Sequence, residues 1–142
     1  LDTDTVRTGV SRGGYVVLDS DAPQVVLLAT GSEVQIALAA ASLLEADGIG
    51  ARVVSMPCVE WFDAQDQAYR DTVIPPSVRA RVSVEAGATL GWWRYVGSDG
   101  RVVGLDHFGA SADQATLYRE FGITAEAVAA AARESIADAG RH

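Results

Sequence analysis

A chain of 142 residues with 49% hydrophobic and 21% charged side chains has the size and composition of one globular domain around a single core. Its net charge of −8, from 19 acidic and 11 basic residues with no lysine, leaves no basic face for a nucleic-acid backbone or an anionic membrane surface. No apolar run nears the roughly 18 residues of a membrane helix, and the lone Cys58 supports neither an internal disulfide nor a cysteine metal site, which points to a reducing, cytoplasmic setting.

Leu1 to Ser11 are polar and mixed in charge, unlike a secretory leader, and read with Arg12 as an interdomain linker over residues 1–12. Gly13-Gly14 ends it, and Tyr15 to Leu18 predict a short strand closed by the turn Asp19 to Pro23. Val25 to Ala29 form an unbroken apolar run, the pattern of a central strand covered on both faces. Thr30-Gly31-Ser32 follows, and Ser32 with Gln35 makes a capping-box pattern at a helix start. Val34, Ala37, Leu38, Ala41 and Leu44 give that helix an apolar stripe, and Gly48 suits a left-handed C-terminal cap. Ala51 to Ser55 is the returning strand, which a helical crossover makes parallel.

Phe62 to Thr72 predict one or two short helices ended by Pro75-Pro76, and Arg81 to Val84 the next strand. Gly87 and Gly91 bracket a loop, Trp92 to Val96 a short helix, and Arg101 to Gly104 a last strand. Thr124 caps an alanine-rich helix whose apolar face is Ala125, Val128, Ala129, Ala132 and Ile136. Strands alternating with helices predict an α/β fold. It is a three-layer α/β/α domain with a mostly parallel five-stranded sheet, and Tyr15 to Leu18 form an antiparallel edge strand beside the tight turn.

In such a sheet ligands bind beyond the carboxyl ends of the strands, where Gly31, Ser32, Glu85 and Gly87 gather with Met56 and Pro57 as a candidate anion or docking edge. Neither a dinucleotide fingerprint nor a phosphate loop is present, so a helix cap is the better reading of Ser32. Glu85 lacks an evident acid, base or metal partner and reads as a hydrogen-bonding group for loop N–H groups or a partner surface. His107 reads as a loop histidine and Cys58 as a small apolar residue. Trp61, Trp92, Trp93 and Tyr95 read as packing or subunit-contact aromatics, with Trp92, Trp93 and Tyr95 the candidate interface.

Five segments go further: Ala29-Thr30-Gly31-Ser32-Glu33-Val34, Ala51 to Pro57, Gln65-Asp66 to Tyr69-Arg70, Ala80 to Gly87, and Phe108-Gly109-Ala110-Ser111-Ala112. In order and spacing, over Gly13 to Ile136, they resemble the C-terminal domain of transketolases, with Asp113 where that family usually has proline. The resemblance implies that residues 13–142 are the third domain of a cytoplasmic homodimer. Missing diphosphate- and pyrimidine-binding domains would hold thiamine diphosphate and a divalent metal, magnesium or calcium. On that footing this domain binds no cofactor or metal and carries no catalytic group. Its role is in assembly, within an enzyme of the pentose phosphate pathway that transfers a two-carbon ketol unit from a ketose phosphate to an aldose phosphate. Other readings are a regulatory module holding a small anion or nucleotide, and the terminal domain of a deoxyxylulose-phosphate synthase or a 2-oxoacid dehydrogenase β-subunit. The wording at Val84-Glu85-Ala86-Gly87 and Phe108-Gly109 favours transketolase.

Overall fold

The structure, a computed structural model, describes residues 3–31, 33–85, 93–104 and 123–140. Strands β1 (Tyr15–Leu18), β2 (Val25–Ala29), β3 (Ala51–Ser55), β4 (Arg81–Glu85) and β5 (Arg101–Gly104) form one sheet in the order β1-β3-β2-β4-β5. All neighbours are parallel except β1 and β3. The fold is thus the expected α/β one, with its antiparallel strand at an edge. The turn after β1 does not fold it back on β2, because β3 lies between them; Tyr15 pairs with Ser55 and Val16 with Val54 before the register shifts at Leu18.

Every residue of β2 is fully buried, since it is the middle strand and both its faces are covered. Helix α2 (Glu33–Ala46) and helix α6 (Ala125–Ala139) cover one face, over Val25, Leu27, Ala29, Val53, Val82 and Val84. The other face carries α3 (Val59–Asp63), α4 (Gln67–Val73) and α5 (Trp93–Val96), over Val26, Leu28 and Val54. The two faces follow from the winding. Passage from β2 to β3 runs one way across the sheet and passage from β3 to β4 the other, so crossovers of one hand fall on opposite sides.

The helix stripes sit close to those predicted. Ala37, Ala41 and Leu44 are buried in α2, while Val34 and Leu38 only flank the core and Ala40 joins it. Gly48 adopts φ +78 beyond α2, with Ile49 N donating to Leu44 O at 3.0 Å. Thr124 caps α6 by accepting from Ala127 N at 3.1 Å. Ser135, wholly buried in α6, accepts from Arg81 N at 3.0 Å and donates to Asp99 O at 2.5 Å. One hydroxyl therefore fastens that helix to the start of β4 and to the turn before β5.

The stretch read as a linker is helical from Thr3 to Ser11, helix α1. It lies against β1, where Gly9 sits so close to the Tyr15 ring that any side chain there would collide with it. Gly13, at φ +83, is pressed against Cys58 O and Phe62 N, and its own carbonyl accepts from Cys58 N at 3.2 Å. Gly14 O accepts from the Tyr69 hydroxyl at 2.6 Å. The glycine pair thus clasps the start of β1 to α3 and α4. Among the described residues no helix is long and apolar enough to cross a membrane.

Candidate functional site

The sheet reverses its direction of winding at β2, and the carboxyl ends of β2 and β4 form the crevice where such folds bind ligands. Thr30 leaves β2 there and Glu85 ends β4. The Thr30 hydroxyl donates to Glu85 Oε2 at 2.6 Å, bridging the crevice across 55 residues of sequence. Gly31 turns the chain at φ +52, and Glu33 N then donates to Thr30 O at 3.0 Å to open α2. Glu33 is itself buried. On the other side of β2, Met56 N donates to Ala29 O at 2.8 Å, so the exit of β3 is tied to the same edge.

Gly31 and Glu85 therefore meet at one edge, as their positions in the sequence imply. Glu85, expected to bond loop N–H groups or a partner surface, accepts instead from the Thr30 hydroxyl. Ser32, Gly87, Trp92, His107, the Phe108 to Ala112 motif and Asp113 lie outside the described residues, as does the side chain of Trp93. Among the described residues no three His, Cys, Asp or Glu side chains gather as a metal would require. Among the described residues, Thr30 and Glu85 supply a hydroxyl and a carboxylate at this edge, and no described histidine stands with them.

Tyr95 stands elsewhere than expected. Read as an interface aromatic, it is only 9% exposed and packs into this chain's own core, tilted against Phe62 with ring centroids 6.4 Å apart. Its hydroxyl donates to Asp63 Oδ1 at 2.5 Å and accepts from Arg94 Nη2 at 2.9 Å, while Arg94 pairs with Asp63 Oδ2 at 2.7 Å. Burial, reinforced by the Asp63 carboxylate, pushes the phenol well above its ordinary value, against the opposing pull of Arg94. Among the described residues Trp61 is an exposed aromatic, at 53%. Cys58 is half-buried, its thiol 3.5 Å from Glu60 Oε2.

Sequence reasoning missed a second concavity, on the α3, α4 and α5 face. A hollow of about 460 Å³ is lined by Arg70, Arg81 and Arg94 with Asp63 and Asp71, over Phe62, Ile74 and Tyr95. No motif marks it, because its guanidiniums come from three separate elements.

A protein-family model described as "Transketolase-like TK C-terminal domain" matches residues 13–124. The transketolase of Mycobacterium tuberculosis (strain ATCC 25618 / H37Rv) is 56% identical over 138 residues, covering 93% of this chain and 20% of that protein. A Cupriavidus necator "Transketolase, plasmid" is 58% identical over 133 residues, covering 94% and 20%. The solved transketolase from Leishmania mexicana superposes with a TM-score of 0.83 at 46% identity, over 91% of this chain and 18% of that one. The chain spans about a fifth of the length of the curated relatives it matches.

Proposed function

The chain belongs to the transketolase-like C-terminal domain family, and from that membership we propose that it serves as the terminal, non-catalytic domain of a transketolase. That enzyme transfers a two-carbon ketol unit from a ketose phosphate to an aldose phosphate, within the pentose phosphate pathway. The carrying observation is the family match over residues 13–124, made to a domain that is a fifth of its full-length relatives. In this reading residues 1–12 join residues 13–142 to preceding diphosphate- and pyrimidine-binding domains, in a cytoplasmic homodimer. The single Cys58 and the acidic balance of the chain accord with that setting.

Thiamine diphosphate with magnesium or calcium supplies the ketol-carrying chemistry when bound to the whole enzyme. The described residues do not fit either group. The crevice at the switch point is spanned by the Thr30 to Glu85 hydrogen bond, and among the described residues no cluster of metal ligands accompanies it. What this chain's residues do is hold a rigid α/β body. The carboxyl edge, with Gly31 and Glu85, serves as a docking surface together with Ser32, Gly87, Trp92 and Trp93, the residues expected from the sequence to join it. The exposed Trp61 supports a surface of that kind, since aromatics contribute large contact areas to interfaces.

The test compares the 142-residue chain with a polypeptide that also carries the two preceding domains. Both are assayed for ketol transfer from xylulose 5-phosphate to ribose 5-phosphate with added thiamine diphosphate and magnesium. The long polypeptide is expected to turn over and the chain alone to show no turnover while folded by circular dichroism. Turnover by the chain alone would overturn the non-catalytic reading, and an inactive long polypeptide would overturn the transketolase reading.

A further inference from the structure

Five arginines of the described residues pair with aspartates: Arg52 with Asp19, Arg79 with Asp99, Arg94 with Asp63, Arg101 with Asp138 and Arg133 with Asp47. Arg70 and Arg81 have no such ion pair, and both line the hollow on the α3, α4 and α5 face. In a chain of net charge −8, two guanidiniums without a close ion pair in one concavity call for an explanation, though the Asp71 carboxylate in the same lining attracts Arg81 at longer range.

Arg81 is held in place by three carbonyls: Nε donates to Val78 O at 2.9 Å, Nη1 to Tyr95 O at 2.8 Å and Nη2 to Pro75 O at 3.0 Å. Its orientation is thus set by neutral acceptors, and its charge is offset only in part by the nearby Asp71 carboxylate. Arg70 donates from Nη2 to Gln67 Oε1 at 3.0 Å, yet its Nε is buried with no hydrogen-bond partner. That atom is shielded from the hollow as well as from water, so what Arg70 presents to the hollow is the remainder of its guanidinium. Of the two carboxylates present, Asp63 is engaged by Arg94 and Tyr95, and Asp71 accepts from Gln67 Nε2 at 2.6 Å. Phe62, Ile74 and Tyr95 supply an apolar wall.

We propose that this hollow is an oxyanion site for the phosphoryl group of a small metabolite, with Arg70 and Arg81 as its principal donors and the apolar wall against the remainder of the ligand. The volume, about 460 Å³, lies within the range of small-molecule sites. Planar guanidiniums suit a phosphoryl group because two N–H donors can meet two of its oxygens at once. The site stands apart from the Thr30 to Glu85 crevice and goes beyond the assembly role, whose success or failure does not affect it.

The experiment titrates inorganic phosphate, then phenyl phosphate, into the chain and reads heat of binding together with the arginine side-chain N–H resonances. Saturable binding is expected, tighter for phenyl phosphate, with the Arg70 and Arg81 side-chain N–H resonances shifting while those of Arg133 do not. Arg70→Gln should weaken it about tenfold, and Arg133→Gln, remote from the hollow, should leave it unchanged. The resonance shift in the unaltered chain keeps the test valid even where Arg70→Gln fails to fold. No saturable binding, or equal binding by the Arg70→Gln chain, overturns the proposal. An equal effect of Arg133→Gln would mean diffuse charge attraction and overturns it too.

Discussion

Two glycines with positive φ show how much the surroundings decide a residue's worth. At Gly48, φ is +78 with nothing nearby, so Gly48→Ala bears only the left-handed backbone and should cost about 1 kcal/mol. At Gly13, φ is +83 and an added Cβ would collide with Cys58 O and Phe62 N, backbone atoms held by β1 and α3. Gly13→Ala should therefore destabilise by about 3 kcal/mol or more, and urea unfolding of the two variants side by side checks the difference. Tyr95 carries a pH signature. The fold holds its phenolic proton more tightly than the unfolded chain, whose tyrosine titrates near 10.0, so stability is whole below that pH and falls as pH rises beyond it. Tyr69, raised by burial, acts in the same direction. Tyr95→Phe should cost about 1 kcal/mol at neutral pH through the lost Asp63 bond and should lessen the alkaline decline. Unfolding at about pH 8 and again above about pH 10 reads both effects, and an unchanged alkaline slope would remove Tyr95 from this role.

Among the elements, α6 shows how a helix is docked by more than its apolar stripe. Val128, Ala129 and Ala132 bury against the sheet, but alanines contribute little area each, and small side chains allow close approach without choosing a rotation. Ser135 supplies the choice, through its bonds to Arg81 N and Asp99 O, while Asp99 also pairs with Arg79. Ser135→Ala leaves the Arg81 N–H and the Asp99 carbonyl without that partner, at an expected cost of about 1 to 3 kcal/mol. Amide exchange should quicken at Arg81 more than at the amides of β2, and uniform quickening would argue against a local clamp. The helix stripes themselves were legible because burial repeats with the turn of the helix. Ser135 was not, as a serine in an alanine-rich run carries no mark of the strand it faces.

At the scale of the whole molecule, the proposed assembly role puts Trp92 and Trp93 to the test. In the full-length enzyme, Trp92→Ala or Trp93→Ala should weaken the dimer well over tenfold, the effect of truncating an anchor worth about 2 kcal/mol. Sedimentation over a concentration series, with ketol transfer assayed on the same samples, checks this; a variant that stays dimeric and loses transfer would mean that the loop reaches the active site. Tyr95 has left that list of anchors, because its ring completes the core beside Phe62. By itself the sequence determined the strands, the central place of Val25 to Ala29, the parallel character of the sheet and the caps at Gly48 and Thr124. Each of these depends on residues within about one helical turn or on local periodicity. Only the tertiary structure decided that β1 pairs with β3, that Thr30 bonds Glu85, and that Arg70, Arg81 and Arg94 converge on one hollow. Those contacts join segments far apart in sequence, 55 residues in the case of Thr30 and Glu85, and such separations leave no local pattern to read.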